Sequence, residues 1–217
     1  MNTSPLNTSQ SAFPPIAAPE YRREVALASQ LLSGIYPELS ATYISTPINN
    51  GLLFMAWQTA NPEEDPRTPE NRADRWQNVA TPNRAAALAI GQRLRRFGVE
   101  GPFIEPAHFA PIPEWGQGEY LEFWEVVIRR YCSRIIFCDG WEYSNGCAYE
   151  FLVGVRTHKE LFTADYQLLT REQGRQMMSN AVLEMVERDQ GSPEFIRQVL
   201  TALNNSHAPY YRAQEDV

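Results

Sequence analysis

Between Asp139 and Glu150 the chain gathers carboxylates, aromatics, a hydroxyl and two glycines, in the order Asp139-Gly140-Trp141-Glu142-Tyr143-Ser144-Asn145-Gly146-Cys147-Ala148-Tyr149-Glu150. The apolar run Ile135-Ile136-Phe137-Cys138 before it reads as a buried strand, and the residues from Asn145 onward read as a helix. A Gly/Ser/Asn turn from strand to helix is where open α/β sheets receive ligands, beyond the carboxyl ends of their strands. Side chains of these types in such a turn can hold a sugar phosphate. Each also has a plainer role. Ser144 is a good N-cap for the helix behind it. Asn145 and Gly146 suit a turn, Asp139 suits a strand end, and Trp141 and Tyr143 suit packing against the sheet edge.

Glu150 is balanced between two readings. On a helical wheel Cys147, Ala148, Phe151, Leu152 and Val155 share one apolar face, and Glu150 lies off it. Periodicity alone therefore favours a solvated glutamate. Its place in the second turn of a helix that starts at the ligand edge of the sheet, with Gly154 leaving space beside it, favours a pocket. Near the first strand, Tyr43 and Ser45 alternate, and the polar loop over 46–51 meets the same crevice if strands one and three are neighbours. A routine connecting loop accounts for that spacing equally well.

The elements that must position these residues follow from pattern and punctuation. A helix is expected over 21–36, a strand over 41–45, and a Pro/Asn/Gly turn over 46–51. A polar insertion follows from 61 to about 80, acidic and proline-bearing over 61–74. Thr81-Pro82 reads as N-cap and first position of a helix reaching Phe97, closed by Gly98 and Gly101 before a strand over 103–105. Beyond a Pro/Gly loop over 108–118, Tyr120, Phe123, Trp124, Val127, Ile128 and Tyr131 form a continuous core-facing stripe. Another strand is expected over 159–162. Thr170 with Gln173 makes a capping-box pattern before a helix bearing Met177, Met178, Ala181, Val182 and Met185, and Ser192-Pro193 opens the last helix. Strands alternating with helices predict a three-layer α/β fold around a mostly parallel sheet, with extra C-terminal helices.

Composition narrows the function classes. The chain has 217 residues, 43% of them hydrophobic, with five Trp, enough for a full core. A net charge of −7 and a pI near 5.1 argue against nucleic acid as a partner. Small anions remain open to it, because a helix N-terminus or one local Arg binds them in an acidic protein. Three cysteines form no disulfide framework and fit a reducing, cytoplasmic setting. No metal-type Cys or His spacing occurs, no stretch has the roughly 20 apolar residues of a membrane span, and residues 1–20 read as a flexible tail.

The residues so assembled resemble the nucleoside 2-deoxyribosyltransferase-like superfamily, which includes deoxyribosyltransferases and deoxynucleoside 5′-monophosphate N-glycosidases. The likeness runs over roughly 41–163. It is carried by Tyr43-Ile44-Ser45-Thr46-Pro47-Ile48 with Gly51, by Ile104-Glu105-Pro106, and most specifically by the run from Gly140 to Glu150, similar to the family's Gly-Trp-Glu-x-Ser-x-Gly-Ala-x-x-Glu. The resemblance implies a flavodoxin-like, doubly wound domain over 21–169 followed by a helical extension over 170–217. It implies cleavage, by hydrolysis or transfer, of the N-glycosidic bond of a nucleotide or nucleoside. Glu150 would be the catalytic glutamate and Ser144 would hold the 5′-phosphate. Tyr43, Thr46, Pro47, Asn49, Gly140, Trp141, Asn145 and Gly146 would line the substrate. Thr46 stands where the family has glycine. The family's second acid falls nearest Trp124, with Glu125 adjacent and Glu122 two residues earlier, and Glu125 is taken as the candidate. No cofactor or metal is implied, and the expected state is a homo-oligomer in the cytoplasm, free of membrane and nucleic acid. The alternative is a binding module that senses a nucleotide without cleaving it.

The chemistry is coherent without the likeness. Breaking a C1′–N bond builds an oxocarbenium-like centre, which a carboxylate close to C1′ stabilises or bonds covalently. The departing base must gain a proton from an acid or from solvent.

Overall fold

The computed structural model describes residues 22–66 and 68–205. The tail expected over 1–20, the first residue of the expected first helix, and residues 206–217 lie outside the described residues. Four strands, Ala41–Ser45 (β1), Phe103–Ile104 (β2), Cys132–Phe137 (β3) and Glu160–Thr163 (β4), form one all-parallel sheet in the order β2-β1-β3-β4. Around it lie the helices Arg22–Leu32 (α1), Leu52–Ala60 (α2), Pro69–Arg75 (α3), Thr81–Arg96 (α4), Gln117–Tyr131 (α5), Asn145–Arg156 (α6), Arg171–Glu187 (α7) and Pro193–Asn205 (α8). The expected three-layer α/β architecture holds, including the helices beyond the last strand.

Alternation along the strands sorts the core into two faces. Tyr43 of β1 joins Ile135 and Phe137 of β3, the α5 stripe, Phe151 and Leu152 of α6, and Met178, Val182, Ile196 and Leu203 of α7 and α8 in one apolar cluster. Ile44 and Ile136 point the other way and pack with Ala87 and Leu94 of α4. A shift in register between Ala41 and Thr42 lets Cys132 and Ile135 face the same side of β3. The chain thus moves outward from β1 to β2 through α4 on one face. It returns past β1 to β3 through α5 on the other face, so its direction reverses between β1 and β3. In an open α/β sheet that reversal opens a crevice beyond the strand ends.

Several elements depart from the sequence reading, each for a physical reason. The segment over 61–80 is not a plain loop. It carries α3, capped by Thr68, whose side chain accepts from the Asn71 N–H, and then a π-helical turn, Trp76–Ala80, that runs straight into α4. Thr81-Pro82 is therefore a junction inside a longer helix, not a start. The widened turn opens the carbonyl ladder just where Pro82 has no N–H to give. Helix α2 went unforeseen because Leu52, Leu53, Phe54, Met55 and Trp57 show no clean period and its N-cap, Gly51, has no side chain to announce it. Strand β3 begins three residues before Ile135. No helix among the described residues is long and apolar enough to cross a membrane.

Candidate active site

Strand period places Tyr43 and Ser45 on the same face of β1, the face covered by α6. Helix α6 starts where Ser144, in extended conformation, accepts from the Cys147 N–H with its side chain and from the Ala148 N–H with its carbonyl, the latter at 2.8 Å. One and a half turns later Glu150 comes down onto the end of β1. The Tyr43 hydroxyl donates to Glu150 Oε1 at 2.7 Å and the Ser45 hydroxyl donates to Oε2 at 2.5 Å. Glu150 is 8% exposed, so the solvated reading that periodicity favoured is wrong. The wheel counts apolar neighbours and cannot register two strand hydroxyls that satisfy a buried carboxylate. Gly154 leaves no room for Glu150 either. A Cβ there would lie 2.7 Å from Leu161 Cδ2 and 2.8 Å from Ile135 Cδ1, so the glycine serves close helix–sheet packing.

Burial pushes the Glu150 carboxyl up from the ordinary 4.5 to about 7, while the bonds from Ser45 and Tyr43 pull it back. The Tyr43 phenol is driven well above its usual value, first by burial and then by the adjacent carboxylate, so it remains a donor. The buried Cys138 thiol, in contact with Thr46 Oγ1 at 3.3 Å, is pushed up to about 12, again mainly by burial, and stays protonated.

Glu150 opens onto a cavity of about 440 Å³ at the crevice between β1 and β3. Ser144 and Gly146 form its floor at the start of α6, and Thr46, Asn49 and Asn50 one side. A Cβ added at Gly146 would meet nothing nearer than Ser144 Oγ at 4.0 Å, so this floor is open. Five aromatic side chains, Trp76, Phe109, Trp115, Tyr120 and Trp124, also line the cavity, among Ile48, Leu121, Arg84 and the loop over 106–117. Trp124 meets the Tyr43 ring edge-on at 5.7 Å and Phe109 at 5.3 Å, which ties the wall to the carboxylate's own support.

The loop over 46–51 is held from behind. Asn83 Nδ2 donates to the carbonyls of Pro47 at 2.5 Å, Ile48 at 3.1 Å and Asn50 at 3.2 Å, and Arg75 donates to the Asn49 carbonyl at 3.1 Å. Gly51, at φ 80°, and Gly140, at φ 75°, let this loop and the one after β3 press together, since a Cβ at Gly51 would come within 2.8 Å of Pro47 and 3.4 Å of the Gly140 carbonyl.

Of the residues singled out from sequence, Glu150, Thr46, Asn49, Ser144 and Gly146 meet at the cavity, with Tyr43 directly beneath Glu150. Pro47 and Gly140 serve the loop contact instead, and Asn145 is the first residue of α6 without being part of the lining. Trp141 is a core residue. It is 2% exposed, stacked on Phe151 at 4.9 Å and tilted against Phe137 at 4.7 Å. Glu125 is turned away. It accepts from the Tyr149 hydroxyl, lies 3.5 Å from Arg129, and lines a separate, smaller pocket. Each helical residue turns the next by about 100°, so Trp124 faces the cavity and Glu125 does not.

Sequence reading missed Trp76, Arg84, Phe109, Trp115 and Gln117, all of which line the cavity. The one signal for them was a tryptophan inside an otherwise polar insertion. Arg84 is the only cation among the described lining residues. It stands 5.7 Å from the Trp76 ring and reaches the Phe109 carbonyl at 3.5 Å. Compared with protein-family models, curated proteins and solved structures, the chain finds no match.

Proposed function

We propose that the protein cleaves the N-glycosidic bond of a nucleotide or nucleoside, with Glu150 as the catalytic carboxylate. The observation that carries this reading is the buried Glu150, held on both oxygens by Tyr43 and Ser45 and facing a cavity of nucleotide size. Each carboxylate oxygen keeps a lone pair beyond the one its hydroxyl donor uses, so the group can still approach C1′. As the C1′–N bond lengthens, positive charge grows on the sugar and the ionised carboxylate, itself buried, stabilises it. A 5′-phosphate fits the start of α6, where Ser144 and Gly146 line the cavity. Arg84 adds charge from the aromatic side. Holding both ends fixes the sugar over Glu150 and removes much of the orientational cost.

The test is base release. Wild-type protein is incubated with a panel of nucleosides and 5′-monophosphates and the free base is followed by chromatography. Glu150→Gln should lose at least roughly 10³-fold in rate. Equal rates from wild type and variant would end the mechanism. The carboxyl near 7 also supports a sensing module, in which protonated Glu150 donates to a bound sugar without cleaving it. Ligand-induced thermal stabilisation with no base released would select that reading.

Three buried free cysteines suit the reducing interior of a cell, where we place the protein. Self-association as a homo-oligomer would cover the exposed Leu27, Leu31, Ile35 and Leu39 on and beyond α1, and light scattering on the purified chain reads it directly.

A further inference from the structure

Proton demand separates classes of N-glycoside. A neutral purine or pyrimidine leaves as an anion unless an acid protonates it, whereas a base bonded as a cation leaves neutral and needs no acid. The described lining residues carry one carboxylate, Glu150, one guanidinium, Arg84, and five aromatic rings. The carboxylate nearest in sequence to the expected acid position, Glu125, is bound to Tyr149 and Arg129 outside the cavity. The cavity therefore couples a single nucleophilic or stabilising carboxylate to an aromatic wall of Trp76, Phe109, Trp115, Tyr120 and Trp124. A flat cation is attracted to the face of an aromatic ring. Such rings also favour a planar base by stacking.

We infer that the substrate is an N-glycoside whose base is already cationic, a pyridinium nucleotide of the nicotinamide type. This deepens the N-glycosidase reading and rests on it. In the reaction the C1′–N bond breaks with its electron pair passing to the ring nitrogen, which converts the pyridinium to a neutral pyridine with no proton taken up. The Glu150 carboxylate bonds to C1′. Water then cleaves that glycosyl ester, giving its hydroxyl to C1′ and its remaining proton to solvent, and Glu150 leaves as carboxylate. One proton is released per turnover. Hydrolysis of a neutral-base nucleotide releases none, because the departing base takes it up.

Two measurements test the inference separately from its foundation. Nicotinamide mononucleotide, adenosine 5′-monophosphate and deoxycytidine 5′-monophosphate are each incubated with the full chain, with free base and released protons followed together. The expected result is nicotinamide release with matching proton release, at a kcat/KM at least roughly 100-fold above that for either neutral-base nucleotide. Comparable release of adenine or cytosine overturns the inference and leaves the glycosidase reading standing. Neutral-base release that disappears in Tyr120→Phe overturns it in the same way and makes the Tyr120 hydroxyl the missing acid. The second measurement needs no turnover. It compares binding of 1-methylnicotinamide, a cation, with nicotinamide, its neutral counterpart, by calorimetry. The cation should bind about tenfold more tightly. Preference for the cation with no base released from any probe overturns the glycosidase reading and, with it, the assigned substrate. No preference between the two ligands overturns cation recognition itself.

Discussion

At the scale of single residues, the burial of Glu150 costs stability, and its titration shows how. Its carboxyl rises from 4.5 in an open chain to about 7 when folded. Between those values the folded protein holds a proton that the unfolded chain has lost, so stability falls as pH climbs through that window. A shift of this size, at about 1.4 kcal/mol per unit, is worth on the order of 3 kcal/mol at most. Glu150→Gln cannot ionise and escapes this cost. The variant should therefore melt above wild type near pH 8, by several degrees at about 2–4 °C per kcal/mol, with the gap closing near pH 5. Scanning calorimetry at the two pH values checks it, and a gap independent of pH would mean that Glu150 is not the titrating group. Removing a donor acts in the opposite direction on function. Ser45→Ala deletes a bond that holds the carboxyl down, so the acid limb of the kcat/KM profile should move to higher pH relative to wild type, and Tyr43→Phe should move it the same way. The alternation of Tyr43 and Ser45 was visible in the sequence. What they do was not, because the partner that gives them meaning lies 107 and 105 positions away.

At the scale of elements, the site depends on how closely α6 approaches the sheet and on how firmly the loop after β1 is held. Gly154 sets the first. In Gly154→Ala the new Cβ would crowd the terminal methyls of the buried Leu161 and Ile135 at 2.7 and 2.8 Å, so both side chains must shift within the core. The variant should lose about 1–3 kcal/mol in a denaturant titration. It should also lose activity by more than its folded fraction explains, because α6 carries Glu150 four residues earlier. Asn83 sets the second, through its three bonds to loop carbonyls. Asn83→Ala should cost about 1–3 kcal/mol of stability. A roughly 10–100-fold fall in kcat/KM should accompany it as Thr46, Asn49 and Asn50 lose their placement, which steady-state kinetics on the folded variant measures. Strand β1 and helices α5 to α8 were legible from their apolar period, with caps at Ser144 and Thr170 marking the starts of α6 and α7. The capping box at Thr170 and Gln173 forms in full. The region over 52–80 was not legible. An apolar run without period and a helix carried through proline by a π turn give no local sign of where they pack, and with them went Trp76 and Arg84 of the cavity wall.

At the scale of the whole molecule, the question is whether residues beyond 170 are an appendage or part of the core that shapes the site. The sequence reading separated them as a helical extension, since nothing in their own period says what they cover. In the fold their inner faces join the cluster that contains Phe151 and Leu152 of α6. Gly174 approaches Phe151 so closely that a Cβ there would lie 2.1 Å from its Cζ. Phe151 follows Glu150 directly and also stacks on Trp141, so α7 closes the same packing that fixes the turn carrying Glu150. Six large side chains, Met178, Val182 and Met185 from α7 and Ile196, Val199 and Leu203 from α8, are buried there. At about 1.5–3 kcal/mol each, their loss matches or exceeds the roughly 5–15 kcal/mol by which a domain is stable. A chain ending at Thr170 should therefore fail to fold to a cooperative state, exposing Phe151 and Leu152 and aggregating. The full chain should unfold in one transition, with the calorimetric and van't Hoff enthalpies in agreement. A truncated chain that melts cooperatively and keeps base release would show instead that the helices beyond Thr170 are dispensable to the site, and that Phe151 is supported from the sheet alone.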